Sequence, residues 1–349
     1  MSDTVILGEL TCPSGELVVI DAGYLSLWSG EDSPAEVPSG SDALASAHDL
    51  EIVGPDAEAA ARSFDRQAGV TCYDIPEHGL ADFTALFDQH CRDKGLDARL
   101  RPVARVPHRE RVRRCVARGG EEFIVFGVPA VAVGGVPTAR RLPVVATRSD
   151  FGPPIGENWH GFRVPFGDRR GVDRRLLGYV GVDHGGVVFA DADALTSWQH
   201  ERPSDGLADV AFWGREAAEA AEASDAAPLT RAGDEDAYGW HDLPVEQARE
   251  RAAALADWQQ ADPARALVVD FRPHSDHFQL MAGVRASPAE AGAVTVGGAD
   301  LVGAMTGYGD GLFEVHLEVA ADGTAAGLEL LFATPEHLTR YADFLRRYS

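Results

Sequence analysis

"VILGELTCPSGELVVIDAG", residues 5–23, sets two β-favouring apolar runs on either side of Pro13-Ser14-Gly15. Those three residues suit a chain reversal, so the stretch reads as an N-terminal β-hairpin. The same grammar recurs twice. "LLGYVGVDHGGVVFADAD" (176–193) has two apolar runs joined at His184-Gly185-Gly186, and "LFEVHLEVAADGTAAGLELLFA" (312–333) turns at Ala321-Asp322-Gly323-Thr324. Hairpins are antiparallel by construction. The N-terminal strands and those at 311–332 are expected in the same or adjacent sheets, because each needs cover for its apolar face.

Between these segments the pattern changes to helical spacing. "LADFTALFDQHCRDKG" places Leu80, Phe83, Leu86, Phe87 and Cys91 on one face and closes on Gly95. Helices are also expected over 55–69, 215–226, 244–260 and 334–349, the last with Thr334 as cap and Pro335 in its first position. Strands are expected at 49–54, 70–75, 97–106, 121–133, 207–214, 266–271, 293–298 and 300–309. The fold class is therefore α+β, with mixed, largely antiparallel sheets and several flanking helices. The chain divides into an α/β part, 1–138, and an α+β part, 139–349, unless the two form one continuous unit. Residues 139–178 carry no clear pattern, and no repeat with a period of 20–50 residues stands out.

Composition narrows the function classes. The formal net charge is −24, and Lys94 is the only lysine. Such a surface disfavours nucleic acid and anionic membranes, both of which select basic residues. No segment reaches the roughly 18 apolar residues of a membrane span. The start lacks a basic, cleavable leader, so a cytoplasmic location is expected. Four scattered cysteines without a C-x-x-C pair read as reduced and buried, though a Cys/His nucleophile pair stays open. The charge is uneven. Residues 92–118 hold ten basic and three acidic side chains, whereas residues 201–262 hold fifteen acidic and five basic. Either the basic segment neutralises the acidic one within the fold, or the acidic one faces a basic partner.

"ALVVDFRPHSDHFQLM" (266–281) offers the densest set of chemical side chains: Asp270, His274, Asp276 and His277. A carboxylate after a strand followed by two imidazoles suits acid–base work, or a metal held by His274, His277 and Asp270. Pro273 and Asp276 also fit ordinary helix-start chemistry, which needs no metal. Asp183, His184, Asp191 and Asp193 read as turn residues. Trp159 and His160 lie in a Gly/Pro-rich stretch, and Tyr308 and Asp310 lie between glycines as in a tight bend. Walker A, G-x-G-x-x-G, G-x-S-x-G and H-E-x-x-H motifs are absent, and no cofactor is expected.

"GELTCPSGELVVIDAGYLSLW" (8–28) and "GYGDGLFEVHLEVAADG" (307–323) resemble the opening and closing signatures of a family of uncharacterised bacterial proteins. That family's pattern has a P-S/T-G-x-L-V hairpin and a W-G-D-G-F/Y-P-V-Y strand. Here Tyr308 replaces the Trp and Glu314 the Pro. The resemblance implies an intact one-piece protein and carries no activity. The function expected from the residues is an interaction protein, immunity- or antitoxin-like, that meets a basic macromolecule. Glu216, Glu219, Glu222, Trp213 and Trp240 would carry the contact, with Trp258 as a further aromatic anchor. A metal-assisted hydrolase centred on His274 and His277, and a structural subunit of an assembly, are the alternatives.

Overall fold

A computed structural model describes residues 3–37, 45–64, 69–231, 233–234 and 236–348. Parts of the expected 55–69 helix and of the stretches 31–48 and 225–238 lie outside the described residues. The chain contains nineteen strands among the described residues. They are β1 (Asp3–Leu10), β2 (Glu16–Asp21), β3 (His48–Val53), β4 (Thr71–Ile75), β5 (Arg99–Val103), β6 (Glu121–Val125), β7 (Val128–Gly134), β8 (Leu142–Asp150), β9 (Glu157–Pro165) and β10 (Asp173–Val182). The rest are β11 (Gly186–Asp191), β12 (Leu207–Trp213), β13 (Ala227–Pro228), β14 (Tyr238–Pro244), β15 (Val268–Pro273), β16 (Ala291–Val296), β17 (Ala299–Met305), β18 (Gly311–Val319) and β19 (Ala325–Leu331). The helices are α1 (Ala57–Phe64), α2 (Leu80–Lys94), α3 (His108–Ala117), α4 (Ala217–Ser224), α5 (Val245–Gln260), α6 (Asp276–Ala286) and α7 (Pro335–Tyr348).

These form two six-stranded sheets, β1-β8-β9-β19-β18-β10 and β16-β17-β11-β2-β7-β6, and two smaller ones, β4-β3-β5 and β13-β14-β12-β15. Every pairing with a resolved register is antiparallel, so the α+β reading holds. The chain divides into two compact units: residues 1–197 with 295–349, and residues 198–294. Residue 138 lies in the β7–β8 connection, inside the larger unit.

The strand orders reveal a duplication. Reversing either six-stranded list exchanges the first half of the chain with the second: β1 with β10, β2 with β11, β7 with β17, β8 with β18, β9 with β19. The small sheets correspond as well, β3 with β12, β4 with β14 and β5 with β15. Sequence agrees once this is seen. "VVIDAGYLSLW" aligns with "VFADADALTSW", which sets Asp21, Leu25 and Trp28 against Asp191, Leu195 and Trp198, each 170 positions on. The central pair is self-related, since Val19 faces Phe189 across the β2–β11 ladder and the two are equivalents. Even an irregularity is copied. The ladder slips between Ile6 and Gly8 in β1 and between Leu176 and Gly178 in β10. At both glycines a Cβ would crowd a side chain, Val302 at 3.0 Å and Glu122 at 2.6 Å. The period is far longer than those of solenoid repeats, which is why a scan for short repeats passes over it.

Two of the three expected hairpins are corrected by this arrangement. β1 and β2 reverse at Ser14-Gly15 but enter different sheets, β1 pairing with β8 and β2 with β7 and β11. β10 and β11 do the same after His184-Gly185. The cause lies in two strand-end aspartates with no exposed surface. Asp191 accepts from the Ser14 backbone N–H and hydroxyl at 2.8 and 2.7 Å, while Asp21 accepts from the N–H groups of Asp183 and His184 at 2.8 and 2.9 Å. Each repeat's corner is thereby clipped to the other repeat's central strand. The third hairpin, β18–β19, forms as expected, and β1 shares its sheet. Residues 139–178 supply β8 and β9, and α3 is a helix that the Arg-rich "HRERVRRCVA" conceals.

Candidate functional site

In the second unit, β12 alternates. Ala208, Val210 and Phe212 join the apolar cluster with Ala217, Ala220 and Ala221 of α4 and Ala248 and Leu255 of α5, so Asp209 points to the opposite face. Asp209 is buried and accepts four hydrogen bonds. Oδ1 takes the Asp242 N–H at 2.8 Å and His274 Nε2 at 3.0 Å, and Oδ2 takes Arg231 at 2.6 Å and His241 Nδ1 at 2.9 Å. Arg231 also bridges to both oxygens of Asp242. His274 Nδ1 reaches Asp205 at 2.9 Å. With both ring nitrogens on carboxylates, His274 is an imidazolium. Burial works to lower its pKa, but the hydrogen bonds to Asp209 and Asp205 outweigh that and raise it. Burial likewise pushes Asp209 up, and the Asp242 N–H with His274, His241 and Arg231 brings it below the usual carboxylate range.

The first repeat holds the same device in sealed form. Asp49 on β3 corresponds to Asp209, and Asp74 on β4 to Asp242. The Asp74 N–H donates to Asp49 Oδ1 at 2.9 Å, matching the Asp242–Asp209 bond. Both donor aspartates sit in the left-handed region, at φ 55° and 56°, where Asp is among the few tolerated side chains. Here two guanidiniums close the pair. Arg105 bridges Asp49 and Asp74, and Arg111, with no exposed surface, clasps Asp74 at 2.7 and 2.9 Å. Burial would raise Asp74, yet Arg111 and the Phe126 N–H keep it well below its ordinary value. The place of His274 on Asp209 is taken by Arg105 on Asp49, and the helix after β5 opens on His108. His108 is fully buried and accepts from the Ser29 N–H at 3.0 Å, and burial lowers its pKa so that it stays neutral. One ancestral polar network has become a closed tie in one copy and remains partly open in the other.

The residues singled out in the sequence lie as follows. Asp270 pairs with Arg272 at 2.5 Å. Asp276 opens α6 behind the Ser275 cap and accepts from the Gln199 N–H at 2.7 Å. Pro273 ends β15 and does not begin the helix. His277 leaves the Asp209 network and stacks on His200 at 4.2 Å, so His274 and His277 are not gathered around one centre. A metal-compatible trio does occur, Asp209, Asp242 and His274, with donor atoms within 4.8 Å of one another. Arg231 already supplies positive charge there, and an imidazolium has no lone pair to give. Trp213 is 38% exposed beside Val268, while Trp240 and Trp258 pack against the apolar cluster beneath Arg251 and Arg265. Glu216 is tied to Arg215 and the Ala266 N–H, whereas Glu219 and Glu222 are exposed.

Elsewhere, His184 caps Asp21, Tyr308 donates its hydroxyl to the Trp159 carbonyl at 2.9 Å, and His160 stacks on Phe151. All four cysteines are buried. Burial raises the Cys12 thiol and lifts Cys115 to about 12, which opposes a thiolate nucleophile at either. No sequence signal marked Asp209, Arg231, His241 or Asp242; aligning the two halves would have exposed the Asp49/Asp209 and Asp74/Asp242 pairs. A recess in the larger unit is lined by Arg163, Arg170 and Arg174, but Arg163 and Arg174 are committed to Glu318 and Glu329. No protein-family model, curated protein or solved structure matches the chain.

Proposed function

We propose that the chain is a binding protein whose second unit presents the acidic outer surface of α4 and α5 to a basic macromolecular partner. One observation carries the reading: among the described residues, the ion pairs of the basic segment are made within the larger unit. Among the described residues, the ion pairs of Arg101, Arg105, Arg109, Arg111, Arg113, Arg114 and Arg118 go to Glu51, Asp49, Asp74, Glu16, Asp193, Glu31, Glu110 and Glu121, all in the larger unit. Glu222, Glu250 and Asp257 remain exposed and make no ion pair among the described residues, and Glu246 and Glu219 are only loosely paired with Arg249 and Arg265. With Trp240 and Trp258 engaged in the core, this surface lacks aromatic anchors. Its affinity would rest on charge and fall with salt.

The test uses a fluorescent arginine-rich peptide and anisotropy at low and moderate ionic strength. Glu219→Lys/Glu222→Lys/Glu250→Lys should weaken binding on the order of tenfold at low salt. A control triple, Glu58→Lys/Glu77→Lys/Glu336→Lys, shifts net charge equally from exposed sites in the other unit. Equal losses in both triples would mean that bulk charge alone acts, and the proposal would fall.

A further inference from the structure

We infer that the outward face of the β1-β8-β9-β19-β18-β10 sheet is a docking surface for a second copy of this chain, met face to face across a two-fold axis. Val144, Phe162, Val315 and Leu330 point to the other side of the sheet and are fully buried. The outward side carries one row across all six strands: Ile6, Val145, Arg163, Glu329, His316 and Leu176, each opposite the next. The row is open at both ends, Ile6 being 66% and Leu176 46% exposed. Val172 and Leu312 stand exposed on the same side, so this face holds four of the eight large apolar side chains exposed among the described residues. Exposed apolar groups gathered in this way mark an interaction site.

Ile6 and Leu176 are equivalents in the duplication, 170 positions apart, so the face has its own approximate two-fold symmetry and suits an isologous contact. Charge chooses the axis. An axis across the strands would set Arg163 against Arg163 of the second copy, and Glu329 against Glu329, which repels. An axis along the strands sets Ile6 on Leu176 of the second copy and Arg163 on its Glu329. One row further along, Glu9 opposite Pro143 and Arg174 opposite Glu318 hold the two ends, so Glu9 meets Arg174 of the second copy. Two equally twisted sheets related by this axis stay parallel over the whole contact. Glu9 makes no ion pair among the described residues. The other charges are already matched: Arg163 holds Glu318, Arg174 holds Glu329, and His316 lies 2.9 Å from Glu314. Closing the face therefore leaves no charge unpaired.

The footprint suits a reversible dimer. Six strands about 4.8 Å apart and three side-chain rows about 6.6 Å apart span roughly 550 Å2, or roughly 1,100 Å2 over both copies, just above the roughly 1,000 Å2 that a specific interface needs. This contact is independent of the acidic-surface reading, since all six strands belong to the larger unit.

Sedimentation velocity on the full chain at about 0.15 M salt, where charges are screened beyond about 8 Å, gives the test. The wild-type chain should pass from monomer to dimer as its concentration rises through the micromolar range, and Ile6→Glu/Leu176→Glu should stay monomeric. Glu9→Arg and Arg174→Glu should each weaken the dimer on the order of tenfold, since the two-fold axis repeats the like-charge contact. Mixed one-to-one, these two variants should recover the wild-type affinity, because every Arg then faces a Glu. A wild-type chain that stays monomeric at millimolar concentration, a dimer untouched by all of these variants, or a mixture no tighter than its components would each overturn the assignment. If a charge variant does not fold, as read by circular dichroism, the comparison of the wild-type chain with Ile6→Glu/Leu176→Glu decides.

Discussion

Asp209 has every acceptor position occupied, by one backbone N–H, two imidazoles and a guanidinium. A buried carboxylate in that state stabilises only while its partners remain charged and in place. Because His274 is raised in the fold, its contribution is complete below the ordinary histidine value of about 6.5 and is lost as pH climbs through its raised value. Asp209 and Asp205 are lowered, so theirs is present above the ordinary carboxylate range and lost as pH falls through their folded values. The second unit should therefore be most stable in mildly acidic solution. Hydrogen exchange at the β12 and β14 amides, compared near pH 6 and pH 9, should show faster local opening at the higher pH after correction for intrinsic rates. His274→Gln should flatten that difference, and an unchanged pH dependence would refute the imidazolium. Asp209→Ala, which strands Arg231 and His274, should cost about 3–5 kcal/mol.

At the scale of elements, the two corners are what keep β1 from pairing with β2 and β10 from pairing with β11. Asp191 accepts from Ser14 with one oxygen and from the Asp193 and Ala194 N–H groups with the other, so a single carboxylate shapes its own following turn and grips the other repeat's corner. Ser14→Ala should cost about 1 kcal/mol, and Asp191→Ala more than the roughly 1.5–3 kcal/mol of one charge-assisted bond. Their double-mutant cycle should couple by more than about 0.5 kcal/mol, whereas Ser14→Ala with Asp21→Ala should be nearly additive. Chemical denaturation of the four proteins in each cycle checks this, and a coupling of zero between Ser14 and Asp191 would remove the clip. These corners also show what sequence could yield. Pro13-Ser14-Gly15 announces a reversal, but whether its strands pair is decided by Asp191, far away in sequence. The β18–β19 tip is closed by its own Asp322, which accepts from the Thr324 N–H, and there local grammar sufficed. α3 was hidden because its inward side carries Arg109 and Arg111, whose partners Glu16, Asp193 and Asp74 come from other elements. His274 was legible as a chemical residue, but its partners Asp205 and Asp209 belong to a strand and loop some sixty-five positions earlier.

The duplication governs the molecule as a whole. In both six-stranded sheets each half of the chain supplies three adjacent strands, and the halves meet at β2–β11 and β9–β19. A half by itself would expose the central edge of each sheet, with β2 or β11 stripped of its buried neighbours, an arrangement that invites pairing with another copy. The present chain thus has the logic of a two-fold dimer joined by a linker, in which each central strand is the other's partner. Fusion frees the two copies to diverge, and that is what the aspartate networks record: one locked by Arg105 and Arg111, the other held by Arg231, His241 and His274. The linker between β9 and β10 includes the exposed residues 168–170. Separating the chain after Arg169 should give two fragments that do not fold singly but assemble one-to-one when co-expressed. Co-purification, light scattering and circular dichroism would follow the assembly. Fragments that fold separately as monomers, with the stability of the intact chain, would show that the paired central strands do not hold the halves together.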